Sequence, residues 1–143
     1  MPVHLLAQTF ERLRQCGNNL RECQILWVSP WANVETITHV IHPKHRAHRG
    51  GFELDSNWLN EFWLDLARQG HGIRCQVHTH PGAAFHSDID DAHPIIADAG
   101  FLSLVIPNFA HGPIGFEAAY LTQLRADGSW QQVSTDDYLE LIP

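Results

Sequence analysis

The stretch IRCQVHTHPGAAFHSDIDD, residues 73–91, decides how the chain is read. Its first half alternates, so Ile73, Cys75 and Val77 fall on one side of an extended strand and Arg74, Gln76, His78 and His80 on the other. Two imidazoles therefore point the same way. Pro81 and Gly82 stop the strand directly behind them, which puts the pair at a strand terminus, where functional groups concentrate. With eleven histidines in 143 residues, one His-x-His is expected about once by chance, so the neighbouring residues decide its meaning. Ser87 opens the run SDIDD, and a serine followed by carboxylates suits a helix start: the hydroxyl caps a backbone N–H and the carboxylates favour the dipole. That capping accounts for Ser87 and Asp88 without any chemistry. A helix starting there also brings Asp90, three positions on, close to the face of Ser87. Two same-face histidines, a tight turn and an aspartate at a helix start make three protein ligands with one position open, the layout of a catalytic zinc rather than a closed structural one.

Working outward, the remaining pattern predicts one domain over residues 1–143 with alternating element types. Leu6, Phe10 and Leu13 recur at helical spacing, with Gly17 and Asn18 as a stop. ECQILWVS (residues 22–29) and VETITHVIH (residues 34–42) read as strands. Asp55 or Ser56 caps a second helix whose buried face carries Trp58, Leu59, Phe62, Trp63 and Leu66, closed by Gly70. A short acidic helix or turn over residues 88–98, the run FLSLVIP, the strand GFEAAYLTQL, an Asp127-Gly128 turn, SWQQV and a last helical turn from Ser134 or Thr135 complete the chain. Pro43 to Gly51 is the most loop-like segment. The net charge of −7 without a Lys/Arg cluster argues against nucleic acid and anionic membranes. No apolar run is long enough to span a bilayer, and the N-terminus lacks the apolar core of a signal peptide, so a cytoplasmic location is expected. Cys16, Cys23 and Cys75 form no CxxC; neither a disulfide framework nor a thiolate zinc site is expected, and each reads as a small buried hydrophobe.

HTHP followed by a short loop and Ser-x-x-Asp resembles the JAMM motif of the MPN-fold metalloproteases, which hydrolyse isopeptide and peptide bonds at the C-terminus of ubiquitin-like proteins. The texture of VHTHPG, AFHS and GFLSLVIPNF is most similar to compact bacterial members found with ubiquitin-like conjugation genes in antiphage operons, the Bil type. The resemblance implies an α/β fold, a single MPN (JAB/cytidine-deaminase-like) domain with a curved mixed sheet flanked by helices. It implies one zinc per chain held by His78, His80 and Asp90, with Glu22, in RECQILW, as general base and Ser87 positioning water and stabilising the oxyanion. The family's usual loop spacing selects Asp91 instead of Asp90, and Glu35 and Glu53 compete with Glu22 for the role of base. The implied partner is a ubiquitin-like protein and its conjugates. A sulfur-carrier adduct or small peptide as substrate, and a non-catalytic MPN scaffold, are the competing readings.

The further histidines His39, His42, His45 and His48 recur every three residues, which is neither the strand nor the helix period. They read as an exposed rim contacting a substrate tail rather than as metal ligands. His71, His93 and His111 read as polar surface residues.

Overall fold

The computed structural model describes residues 1–48, 51–87 and 95–143. Helix α1 (Val3–Gly17) buries Leu5, Leu6, Phe10 and Leu13 along one face. It stops at Asn18, which takes a left-handed conformation (φ 46°) and donates its N–H to the Arg14 carbonyl at 2.9 Å. Among the described residues eight strands follow: β1 (Gln24–Pro30), β2 (His39–Ile41), β3 (His45–His48), β4 (Gly51–Leu54), β5 (His71–Thr79), β6 (Leu102–Ile106), β7 (Tyr120–Leu124) and β8 (Trp130–Val133). Helix α2 (Ser56–Arg68) lies between β4 and β5, and the short α3 (Thr135–Tyr138) follows β8.

Six strands form one mixed sheet in the order β2-β1-β5-β6-β7-β8, and β3 pairs with β4 in a separate hairpin. Within the large sheet β5 and β6 run parallel and every other pair is antiparallel. A parallel pair needs a long crossover. Here the crossover is the segment between Thr79 and Leu102, so the loop that follows the histidines is a consequence of topology. The chain is thus an α/β domain whose sheet is flanked, among the described residues, by three helices. Helix α1 packs on one face against Ile25, Trp27, Cys75, Val77, Leu104 and Leu121. Helix α2 covers the other through Leu66, against Leu26, Val28, Ile73, Phe101 and Leu124. Trp27 is fully buried, and its indole N–H donates to Thr9 Oγ1 (3.0 Å), which donates to the Leu5 carbonyl (2.8 Å).

Several expectations are corrected. The β1–β5 register passes from Trp27 opposite Cys75 to Val28 opposite Ile73, leaving Arg74 as an extra residue. This bulge turns Ile73 to the α2 side, away from Cys75 and Val77, so the simple alternation holds only beyond it. The strand expected over residues 34–42 is confined to His39–Ile41, because a short 3-10 turn at Trp31–Asn33 and the turn behind it occupy the first half. The expected loop from Pro43 to Gly51 contains β3 and the start of β4. Residues 115–119 are irregular, and β7 begins only at Tyr120. Trp63, expected on the buried face of α2, is 39% exposed. The acidic helix or turn expected over residues 88–98 falls mainly on 88–94, outside the described residues, and residues 95–98 are not helical. Among the described residues, no helix is long and apolar enough to cross a membrane.

Candidate active site

Side chains at the carboxyl ends of parallel strands face the crevice where open α/β sheets bind ligands. His78 lies in the last turn of the β5 ladder and His80 directly follows it; both are buried. Their rings lie 5.2 Å apart between centroids and are inclined by 52°. The backbone here is pinned from three sides. The His80 N–H donates to the Ile106 carbonyl (3.0 Å), its carbonyl accepts from the Phe109 N–H (2.9 Å), and the Gly82 carbonyl accepts from the Asn108 N–H (3.0 Å). Asn108, Phe109 and Ala110 all have positive φ (55°, 51° and 62°), a conformation costly to residues with a Cβ. Arg14 holds that turn from behind, donating Nε to the Ala110 carbonyl (2.5 Å) and Nη2 to the Gly112 carbonyl (2.8 Å). Strain persists where surrounding contacts over-determine the backbone, and such turns cluster at functional sites.

Glu22 is placed by the β1–β5 ladder. Gln24 lies opposite His78, and the ladder persists one step further: the Thr79 N–H donates to the Cys23 carbonyl (3.1 Å) while the Cys23 N–H donates to Thr79 Oγ1 (3.0 Å). One more step in that register puts Glu22 opposite His80, on the face shared by Gln24 and His78. Glu22 is half-buried. Glu35 is exposed in the turn at the far end of β1, and Glu53 is exposed on β4, outside the large sheet. Ser87 is half-buried at the end of a loop that folds back on the sheet. There His86 Nε2 lies 3.2 Å from Ser103 Oγ, which also accepts from Gln76 Nε2 (3.0 Å), and the His86 ring packs against Trp130 at 4.7 Å. Phe85, 54% exposed, meets the His80 ring edge to face at 4.6 Å. Asp90 and its competitor Asp91 lie outside the described residues.

These residues fit a metal. Two buried imidazoles share one small region of the sheet face. The neighbouring Gln24 Oε1 is also buried, and no donor among the described residues reaches it. An orphaned buried acceptor beside two imidazoles suits a site that holds a further polar group. A cleft of about 540 Å³, lined by residues including Trp31, Trp63, His71 and Phe101, opens at the opposite end of β5, away from this site.

No family profile matches the sequence. The chain is 30% identical over 138 residues to a protein of Sinorhizobium fredii (strain NBRC 101917 / NGR234) named probable metalloprotease y4jG, an alignment covering 93% of this chain and 85% of that one. The chain belongs to this metalloprotease family. A metal-dependent peptidase is therefore the class to which the His78 and His80 geometry must answer. The fold is similar to the solution structure of protein DSY2949 from Desulfitobacterium hafniense, with a TM-score of 0.55 over 97% of this chain and 88% of that chain, at 15% identity.

The structure also assembles a group that the sequence reading set aside. Cys16, Cys23, His42 and His45 converge on the α1 side of the sheet, and Cys16 and Cys23 are paired as a disulfide, which overturns the expectation that the cysteines form none. The two cysteines are partners rather than separate hydrophobes, and two of the four supposed rim histidines turn inward onto them. The surviving signal was His42-x-x-His45, which no local period makes informative. Partial desolvation, then electrostatic repulsion from the neighbouring His45 and Arg12, holds the His42 imidazole below its ordinary range. Cys75 alone fits the expectation of a buried hydrophobe, and burial raises its thiol well above the usual range.

Proposed function

We propose that the chain is a zinc peptidase of the JAMM type that cleaves after the C-terminal tail of a bacterial ubiquitin-like protein, in precursor processing, deconjugation or both, within antiphage defence. The observation that carries the reading is the buried His78 and His80 pair at the end of β5, across the ladder from Glu22, in a member of a metalloprotease family. His78, His80 and Asp90 would hold the zinc, which when bound acidifies its water and polarises a carbonyl. Each imidazole offers a ring nitrogen, and the hydrogen bonds to the N–H and carbonyl of His80 hold its backbone in place. Glu22 takes a proton from water as general base and returns it to the leaving lysine or α-amine. The Ser87 hydroxyl donates to the oxygen that gains charge as the carbonyl is attacked. No covalent intermediate with the protein is needed.

The tail is read as an extended segment beside the sheet, through backbone hydrogen bonds. Phe85 stands exposed against His80, so a large side chain next to the cut would collide with it while glycine would pass. The test uses fusions of the cognate ubiquitin-like protein to unrelated reporters, and one variant with the last tail residue enlarged to tryptophan. Cleavage of every reporter and resistance of the tryptophan variant are expected. Equal cleavage of that variant, or strong dependence on the reporter, would favour a general peptidase.

A further inference from the structure

We propose that Cys16, Cys23, His42 and His45 form a second metal site, a closed Cys2His2 zinc centre on the α1 side of the sheet. The four ligand atoms all lie within 4.8 Å of one another. Cys16 Sγ is 3.4 Å from His45 Nε2, and Cys23 Sγ is 3.3 Å from His42 Nε2. Zinc bonds of about 2.3 Å to sulfur and about 2.0–2.1 Å to nitrogen set tetrahedral edges of about 3.4–3.8 Å, so the two sulfur–nitrogen separations are those of ligands around one ion, and the two sulfurs, in contact here, must part to about 3.8 Å to hold it. His45 is also oriented as a ligand. Its Nδ1 lies 2.8 Å from the Pro43 carbonyl, which can only accept, so Nδ1 carries the hydrogen and Nε2 presents its lone pair to the sulfurs.

The sulfurs are also placed for a disulfide, with Cα atoms 6.0 Å apart. That bond uses two of the four groups and gives no reason for two imidazoles to turn their Nε2 atoms onto it. A metal uses all four. A thiol reductant first opens the sulfur–sulfur pair, taking up the two oxidising equivalents as its own disulfide; the resulting dithiol then forms two metal–sulfur bonds beside the two metal–nitrogen bonds and releases its two thiol protons to solvent.

The ligands come from the last turns of α1, the residue before β1, the residue after β2 and the first residue of β3. The ion therefore ties helix, sheet edge and outer hairpin together. The centre shares no ligand with His78 and His80 and faces the other side of β1, because Cys23 points opposite to Glu22 and Gln24. Its role is structural. It anchors Cys23, and with it the backbone from which Glu22 projects.

The experiment measures metal content and cobalt spectra of the full chain prepared under reducing conditions. Wild type should bind about two zinc ions, and His78→Ala/His80→Ala, Cys16→Ser and His42→Ala about one each. Cobalt loaded into the His78→Ala/His80→Ala variant should show intense sulfur-to-cobalt charge transfer in the near ultraviolet, which histidine and carboxylate ligands cannot produce, and Cys75→Ser should leave it unchanged. His42 is exposed, so His42→Ala keeps the test valid if Cys16→Ser fails to fold. Equal zinc in wild type and His42→Ala, absence of the charge-transfer band, or a Cys16–Cys23 disulfide in the peptide mass map of the reduced preparation would overturn the proposal. A wild type holding about one zinc, unchanged in His78→Ala/His80→Ala and with the band retained, would overturn only the catalytic reading.

Discussion

Thr79 lies between the two histidines in sequence but points to the opposite face, where its Oγ1 accepts the Cys23 N–H at 3.0 Å. Both residues are fully buried, so water cannot replace that bond. Thr79→Val keeps the shape and removes the acceptor. A buried N–H left without a partner costs about 1–3 kcal/mol. For a domain of this size each kcal/mol lowers Tm by about 2–4 °C, so a fall of about 2–12 °C is expected. The same bond sets where β1 begins, and hence where Glu22 stands relative to His80. A general base displaced by on the order of 1 Å loses up to about 10²-fold in rate, so kcat should fall about 10–100-fold while metal content and KM stay near wild type. Stability is measured by denaturant unfolding of the chelated, metal-free chain, which removes the contribution of bound metal. Activity is measured by steady-state cleavage of the fusion substrate. Thr79→Ser restores the oxygen and should recover both properties. A valine variant as stable and active as wild type, or a serine variant as impaired as valine, would refute the account of how Glu22 is positioned.

Chelation with 1,10-phenanthroline should abolish hydrolysis while thiol and serine reagents directed at a nucleophile do not; full activity in metal-free protein would remove the mechanism. Glu22→Ala should keep its metal at His78 and His80 and lose about 10² to 10⁴ in rate, the usual effect of deleting a general base. If Glu35→Ala or Glu53→Ala reproduces that loss while Glu22→Ala stays active, the base is misassigned. Asp90→Asn should empty the His78 and His80 site and Asp91→Asn should not, as read by metal content; the reverse result selects the longer loop spacing. The Asp55 carboxylate caps α2 by accepting from the Trp58 N–H at 2.9 Å and is held below the ordinary aspartate range chiefly by that bond, with Lys44 adding to it against desolvation. Its folded pKa thus lies below its unfolded one, so its stabilisation is present above the ordinary aspartate range and fades as pH falls through it. Asp55→Asn should flatten the acid limb of the stability curve, and an unchanged limb would refute the assignment.

What the sequence determined by itself was local. The alternation beyond Arg74 was enough to put His78 and His80 on one face, because side-chain direction in a strand has a fixed period. Asp55 before an apolar helical repeat, and Asp127-Gly128 between two strands, announced a cap and a hairpin through chemistry confined to a few residues. The resemblance carried by HTHP and Ser-x-x-Asp supplied roles for residues that no period connects. Tertiary structure decided the rest. Arg74 reads as one more alternating residue, yet it becomes a bulge because β1 offers no partner for it, and Ile73 changes sides. The register that sets Glu22 opposite His80 depends on two strands separated in sequence by β2, the outer hairpin and all of α2. Cys16, Cys23, His42 and His45 carry no recognisable spacing, since they meet only when the end of α1 docks on the sheet edge and the chain between β2 and β3 closes over it. Contacts between residues distant in sequence leave no periodic trace in it, and that is where this cysteine and histidine group was hidden.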